Sequence, residues 1–401
     1  MRTTWNFYSA GQLVFGRGAA NQTGQLAEQL GLRRVLLVAD ERLIAAGLDR
    51  GVRDALTSAG IAVEVFGGGQ PEPSLDLVER CLAEARRIKP DGVLGLGGGS
   101  NMDLAKIVAA VLTHGGGPRD YVGENRVSGP VLPLVCIPTT SGTGSEVTAA
   151  SVLTDTANQI KVGVLSNYLR PKLAIVDPLL TVSCPAKVTA DSGIDALTHA
   201  IEAYTAVDNE AFPLPEGECS VYQGRHPLAD GLAEKAIELI GRHLVAAVRE
   251  PQNLEAREGM SLAATVAGLA FSNTGVALVH AMEYPVGGAV HCSHGAGNGL
   301  LLPFVMRYNL PVRVKQFARV AQLLGEDISG LTEAQGAERA IATVERLKAA
   351  IGIPVRLRDL GVTSEQLPLF AQKAFGIKRI LRVNPRVPTV ADIEEVYRAA
   401  F

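Results

Sequence analysis

The chain is short of the features that would commit it to several kinds of work. Its 38 Lys and Arg against 41 Asp and Glu leave a formal net charge of −3. No basic stretch is interleaved with aromatics, so the electrostatic footprint of a nucleic-acid binder is missing. The five cysteines, Cys81, Cys136, Cys184, Cys219 and Cys292, are scattered and form no CxxC pair. An odd, dispersed set in a long chain is the habit of a reduced, cytoplasmic protein rather than of a disulfide framework. The opening MRTTWNFYSAGQLVFG holds no continuous apolar run, so no signal peptide is expected. The most apolar stretch, LAATVAGLAFSNTGVALVHAM (262–282), is long enough to span a bilayer. However, Ser272-Asn273-Thr274-Gly275 interrupts it, and no basic flank sets a topology. It reads as a buried helix, and no membrane is expected as a partner. Internal repeats and low-complexity tracts are also missing.

What is present is a 401-residue chain that is 47% hydrophobic, too long for one ordinary core. In its first part short β-rich runs recur: RRVLLVAD (33–40), IAVEVFGG (61–68), DGVLGLGGGS (91–100), LPLVCIPTT (132–140) and KLAIVDP (172–178). Helix-like segments such as 48–60 and 75–89 separate them. Apolar runs without strict alternation, spaced by helices, predict a parallel sheet covered on both faces. QLVFGRGA (12–19) suits an added edge strand. After about Pro185 strand signals vanish and helical spacing takes over. The expected organisation is an α/β domain at 1–185 and an all-helical domain at 186–401. An insert at 207–230, with Pro and Gly among polar residues, reads as a functional or interface loop.

Two loops carry nucleotide chemistry. GLGGGSNMDLAK (95–106) follows a strand and enters a helix, so its glycines let backbone N–H groups approach a phosphate at a helix N-terminus. A tight strand–helix turn would use the same residues. PTTSGTGSEVT (138–148) sets hydroxyls and glycines after a second apolar strand, and two such loops can line one crevice. Asp40, ending LLVAD, can accept from a ribose 2′-OH and repel a 2′-phosphate, favouring NAD over NADP; it can equally cap the next helix.

The chain has seven histidines. In SGIDALTHAIEAY (192–204), Asp195 and His199 stand four apart on a helix, so their side chains are neighbours. Such a pair can chelate a divalent cation or simply share a hydrogen bond. HAMEYPVGGAVHCSHG (280–295) adds His280, His291, Cys292 and His294. Asp with several imidazoles is a borderline environment suited to Fe²⁺ or Zn²⁺.

Taken in order, GGGSNMDLAK, PTTSGTGSEVT, DALTHAIEAY, HAMEYP…HG and the ending RVNPRVPTVADIEEVY (382–397) resemble the iron-containing (group III) alcohol dehydrogenase family. The resemblance implies a dehydroquinate-synthase-like architecture, in which 1–185 is a Rossmann-like dinucleotide-binding domain and 186–401 a metal-binding catalytic domain, with a metal in the cleft held by one Asp and three His. Here these fall on Asp195, His199, His280 and His294. It implies cofactor contacts at Asp40, Gly97, Gly98, Ser100, Asp103, Thr139, Thr140 and Thr143, with Lys161 near the nicotinamide ribose. The bend YPVGGAV would bring His280 and His294 to one metal, leaving His291 and Cys292 beside it. A homodimer is the expected assembly. One departure is Tyr284, where many members keep a proton-relaying histidine; a tyrosine hydroxyl can pass a proton but is a poor base near neutrality. The other is the insert, whose VYQGRHPLAD is similar to the hydroxyacid–oxoacid transhydrogenase branch.

The expected activity is NAD-linked interconversion of a primary alcohol and an aldehyde, with the metal polarising the substrate oxygen. The alternative is a transhydrogenase acting on a 4-hydroxybutyrate-type hydroxyacid and a 2-oxoglutarate-type acceptor, for which Arg225 and His226 could bind a carboxylate. A dehydroquinate-synthase-type lyase ranks below both, because the helical motifs hold few Lys or Arg for a phosphate-bearing substrate.

Overall fold

The computed structural model describes residues 2–158, 160–214 and 218–401. The chain divides into two compact units. One contains Tyr8–Cys184 together with Cys219–Val221; the other contains residues 2–7, the described part of Pro185–Glu218, and Tyr222–Phe401.

The first unit is built on a six-stranded sheet. Its strands are β1 (Gln12–Phe15), β2 (Arg34–Asp40), β3 (Ala62–Gly69), β4 (Gly92–Gly97), β6 (Leu134–Pro138) and β9 (Leu173–Val176). Their order is β1-β9-β6-β4-β2-β3. Every pairing is parallel, with Leu36 opposite Val93 and Gly95 opposite Cys136. The first strand does lie at the edge.

The central strands are apolar on both sides because both faces are covered. Leu36, Val38 and Val93 pack on α4 (Leu75–Ile88) and α5 (Gly99–His114) through Val78, Leu82 and Ile107. Val35, Leu37, Leu94 and Ile137 face α1 (Thr23–Gln29) and α3 (Arg50–Ser58) through Leu26, Val52 and Leu56. Each such side chain contributes about 1.5–3 kcal/mol on burial, more than any propensity term in these short strands. A short helix, α2 (Glu41–Ala45), follows β2. The sequence reading missed a second, smaller sheet, β5 (Gly123–Glu124), β8 (Ile160–Leu165) and β7 (Ala150–Asp155), in that order. Its β7 and β8 pair antiparallel.

The second unit holds α6 (Ala186–Thr205), α7 (Pro227–Arg249), α8 (Leu254–Thr274), α9 (Leu278–Val290) and α10 (His294–Asn309). The helices Val314–Leu323, Glu333–Ile351, Leu367–Gly376 and Val390–Ala400 follow. Among the described residues no named strand lies beyond Val176. The long apolar stretch is broken at Gly275 (φ 117°), and α8 and α9 meet at 104°. Among the described residues no single helix is long and apolar enough to cross a membrane.

The insert, expected to be a functional or interface loop, does not stand free in solvent along its described part. Phe212, Val221, Tyr222, Gln223 and His226 are buried, and residues 215–217 lie outside the described residues. Nor does YPVGGAV form the bend. Helix α9 runs through Pro285 and both glycines to Val290, and the chain reverses at His291, whose φ of 52° is left-handed.

Candidate functional site

In the second unit, α6 is buried along nearly its whole length and carries Asp195, His199 and Glu202 at i, i+4 and i+7, one face of a helix. Buried charges on an apolar helix are costly unless paired. Each of these has partners, and together they organise a cluster.

Glu202 is the hinge of that cluster. Its carboxylate accepts from the Ala277 amide (2.9 Å) and the Val279 amide (2.7 Å), the unsatisfied N–H groups at the start of α9. It also accepts from His280 Nδ1 at 2.6 Å. Glu283, one turn along α9, accepts from His294 Nδ1 at 2.5 Å. With Nδ1–H committed to a carboxylate in both rings, the lone pair sits on Nε2, and carboxylate partners of this kind orient and strengthen imidazole ligands. The two Nε2 atoms turn toward Asp195: His280 Nε2 is 3.8 Å and His294 Nε2 4.0 Å from Asp195 Oδ1.

One ligating atom from each of Asp195, His280 and His294 lies within 4.8 Å of the others, a spacing that can close on a single cation. Two neutral imidazoles and a carboxylate suit Fe²⁺ or Zn²⁺, so the donor set fits the metal that the family resemblance implies. Burial raises the Asp195 carboxyl, but the facing His199, His294 and His280 and a bond from Asn298 outweigh it and hold the group below the usual range. His199 stands beside the trio. Its Nδ1 is 3.8 Å from Asp195 Oδ2, and its ring stacks on Phe271 (4.0 Å) and on His280 (4.7 Å). Tyr284 is half-buried, its ring 6.1 Å from that of His294.

Close helix packing sets these distances. A Cβ on Gly295 would lie 2.0 Å from the Asp191 carbonyl oxygen, and one on Gly299 2.6 Å from Ile194. Only glycine lets α10 approach α6 closely enough to bring His294 to Asp195.

In the first unit, the two loops meet. Thr139 N donates to Gly97 O at 3.0 Å, and a Cβ on Gly99 would lie 2.8 Å from Thr143. Gly98 caps α5 and Gly99 begins it, so their backbone, with Thr140 close to Gly98, lies at a helix N-terminus, where an anion can be received. Ser100 Oγ accepts from the Glu72 amide. Asp40 ends β2 and caps α2 through Leu43 N at 3.0 Å, while its other oxygen accepts from Asn101 at 3.0 Å. Asp103 points inward, accepting from Ser145 Oγ and Val152 N, with the buried Lys106 ammonium 3.8 Å away. The Lys161 ammonium pairs with Glu72 at 2.8 Å.

Arg225 and His226 do not form an open anion site. The Arg225 guanidinium bonds Asp230 (2.6 Å) and Asp208 (3.2 Å), and His226 is buried with its ring stacked on Trp5 at 4.3 Å.

The residues that sequence reasoning missed are Glu202, Glu283 and Asn298. Each glutamate stands three residues after a candidate ligand histidine, a spacing that gives no signal until the burial of both acids is known.

Comparison with known proteins bears on this arrangement. A family model described as iron-containing alcohol dehydrogenase matches residues 10–178, and one described as the C-terminal part of the Fe-containing alcohol dehydrogenase family matches residues 217–401. The chain is 39% identical to the NAD-dependent methanol dehydrogenase of Bacillus methanolicus, over 99% of this chain and 100% of that protein. The crystal structure of a 1,3-propanediol oxidoreductase superposes with a TM-score of 0.93 at 38% identity, covering 99% of this chain and 100% of the other. A sulfoacetaldehyde reductase from Bifidobacterium kashiwanohense, solved in complex with NAD+, superposes with a TM-score of 0.84 at 30% identity, covering 100% and 99%.

Proposed function

Because the chain belongs to the iron-containing alcohol dehydrogenase family, we propose that this alcohol oxidoreductase interconverts a primary alcohol and its aldehyde with NAD, using a metal held by Asp195, His199, His280 and His294. The relatives named for methanol and 1,3-propanediol support the substrate class, and the NAD-linked relatives support the cofactor. The observation that carries the reading is the convergence of Asp195, His280 and His294, with both imidazoles tethered through Nδ1.

When bound, the metal supplies Lewis-acid polarisation of the substrate oxygen, and the nicotinamide exchanges the hydride. The chain's own part is positioning. Glu202 and Glu283 fix the tautomer and direction of His280 and His294. Gly97, Gly98, Ser100, Thr139, Thr140 and Thr143 receive the cofactor phosphates at the start of α5, with Asp103 bracing the loop from behind. Asp40 meets the adenosine ribose, and Lys161, steered by Glu72, serves the nicotinamide end. Tyr284 stands near His294 as the hydroxyl through which a proton passes. In this account residues 1–185 carry the cofactor and 186–401 the metal, and the active species is a homodimer.

The transhydrogenase reading loses its anchor, because Arg225 already neutralises two carboxylates of its own unit. The test is NADH formation over a panel of primary alcohols. Chelation should abolish turnover and Fe²⁺ or Zn²⁺ should restore it. Sustained turnover of 4-hydroxybutyrate with 2-oxoglutarate, without free NAD and with no activity on the alcohols, would overturn the reading.

A further inference from the structure

Asn298, one turn after His294 on α10, is fully buried. Its amide nitrogen lies 2.8 Å from Asp195 Oδ1, 3.2 Å from His280 Nε2 and 3.1 Å from His294 Nε2. They belong to the three residues of the candidate metal site, and both Nε2 atoms face Asp195 Oδ1. Its carbonyl oxygen, by contrast, is buried without a hydrogen-bond partner among the described residues. Turning the amide around would set an oxygen against a carboxylate and two imidazole lone pairs, so the nitrogen belongs where it is. An amide nitrogen has two hydrogens for these three acceptors. It therefore meets the ligand atoms as a weak, neutral substitute for a cation.

A carboxylate and two lone pairs facing one another in a buried pocket repel, and leaving them without a donor is costly. A cation that bonds the same three atoms enters the space into which the N–H groups point, and the positive end of the amide then has to give way. The geometry points to Asn298 as a placeholder: its amide stabilises the ligand set whenever no cation is bound and yields to the metal, so it sets how much binding energy the metal must spend on displacement. This rests on the reading of Asp195, His280 and His294 as the metal's ligands. Asn298 is a positioning residue here, not a catalytic one.

The test uses the full chain with Zn²⁺ as probe, comparing wild type with Asn298→Ala and with Asn298→Leu, which keeps the volume. The readouts are the unfolding temperature with EDTA and with Zn²⁺, and the Zn²⁺ dissociation constant by competition with a chromophoric chelator. The expected result is a metal-free unfolding temperature lowered by about 3 °C or more, a Zn²⁺-loaded one nearly unchanged, and Zn²⁺ bound roughly fivefold tighter. A variant that folds only with Zn²⁺ would support the proposal in its strong form. Equal losses in both states, weaker Zn²⁺ binding, or failure of both variants to fold even with Zn²⁺ would overturn it. Asp195→Ala separates the two levels: if it leaves Zn²⁺ affinity unchanged, the ligand assignment itself has failed; if it abolishes binding, only the placeholder role is in question.

Discussion

Glu202 joins His280 at 2.6 Å while holding the Ala277 and Val279 amides, so one buried carboxylate both starts α9 and aims the imidazole that α9 carries. Helix placement and imidazole orientation are thereby the same interaction. Replacing Glu202 by Ala should weaken Zn²⁺ or Fe²⁺ binding about 10- to 100-fold, the usual cost of losing a carboxylate behind a histidine ligand. The unsatisfied amides should also lower stability by about 1–3 kcal/mol. Metal competition titration and denaturant unfolding check the two effects. Unchanged metal affinity would show that His280 is aimed by something else.

Gly295 should tolerate no side chain. A Cβ there would sit 2.0 Å from the Asp191 carbonyl oxygen, and the neighbour is backbone that cannot rotate aside. Gly295→Ala should cost about 1–3 kcal/mol and push His294 away from Asp195, so metal affinity should fall along with stability. Gly288→Ala, which meets nothing within 4 Å, is the control and should do neither.

Asp40→Ser separates the capping of α2 by Asp40 from its proposed meeting with the cofactor ribose. Serine still caps a helix, so the α2 start should survive, whereas the negative charge that repels a 2′-phosphate is gone. The ratio of kcat/KM for NAD over NADP should fall about tenfold or more, while the unfolding temperature falls only by what the lost Asn101 bond contributes. A ratio that does not move would remove Asp40 from the cofactor site.

Burial pushes the His226 imidazole down from 6.5 to about 4. Its Nδ1 caps α7 and its ring lies on Trp5. Above pH 6.5 folded and unfolded chains both hold a neutral ring, and its contribution is complete. Between pH 6.5 and 4 the unfolded chain takes a proton that the folded one refuses, so stability falls, by roughly 2 kcal/mol in all, and then levels off. The difference in unfolding free energy between wild type and His226→Asn, followed over that window, should show this slope. A constant difference would contradict it.

The sheet unit was legible because its strands are buried on both faces and its loops carry glycine at strand ends. The small second sheet was not, since β7 buries only alternate residues of a short, half-polar run. The site was partly legible. Asp195 and His199 show in the i, i+4 spacing, but His280 and His294, fourteen apart, are joined only through the turn at His291. No local signal marks that turn, because a left-handed histidine stands where glycine would be expected and the nearby glycines are helical. Glu202 and Glu283 read as ordinary helix acids until their burial is known. Arg225 looked like a free anion receptor because Asp208, seventeen residues away, could not be seen as its partner.

The central claim is that Asp195, His280 and His294 hold the metal on which NAD-linked alcohol oxidation depends. The most direct measurement is NADH formation from a primary alcohol, alongside bound-metal content, for wild type, Asp195→Ala and the double variant His280→Ala/His294→Ala. The account predicts that wild type holds metal and reduces NAD, while both variants stay folded, lose the metal and lose turnover together. Full turnover by either variant after chelation would contradict it.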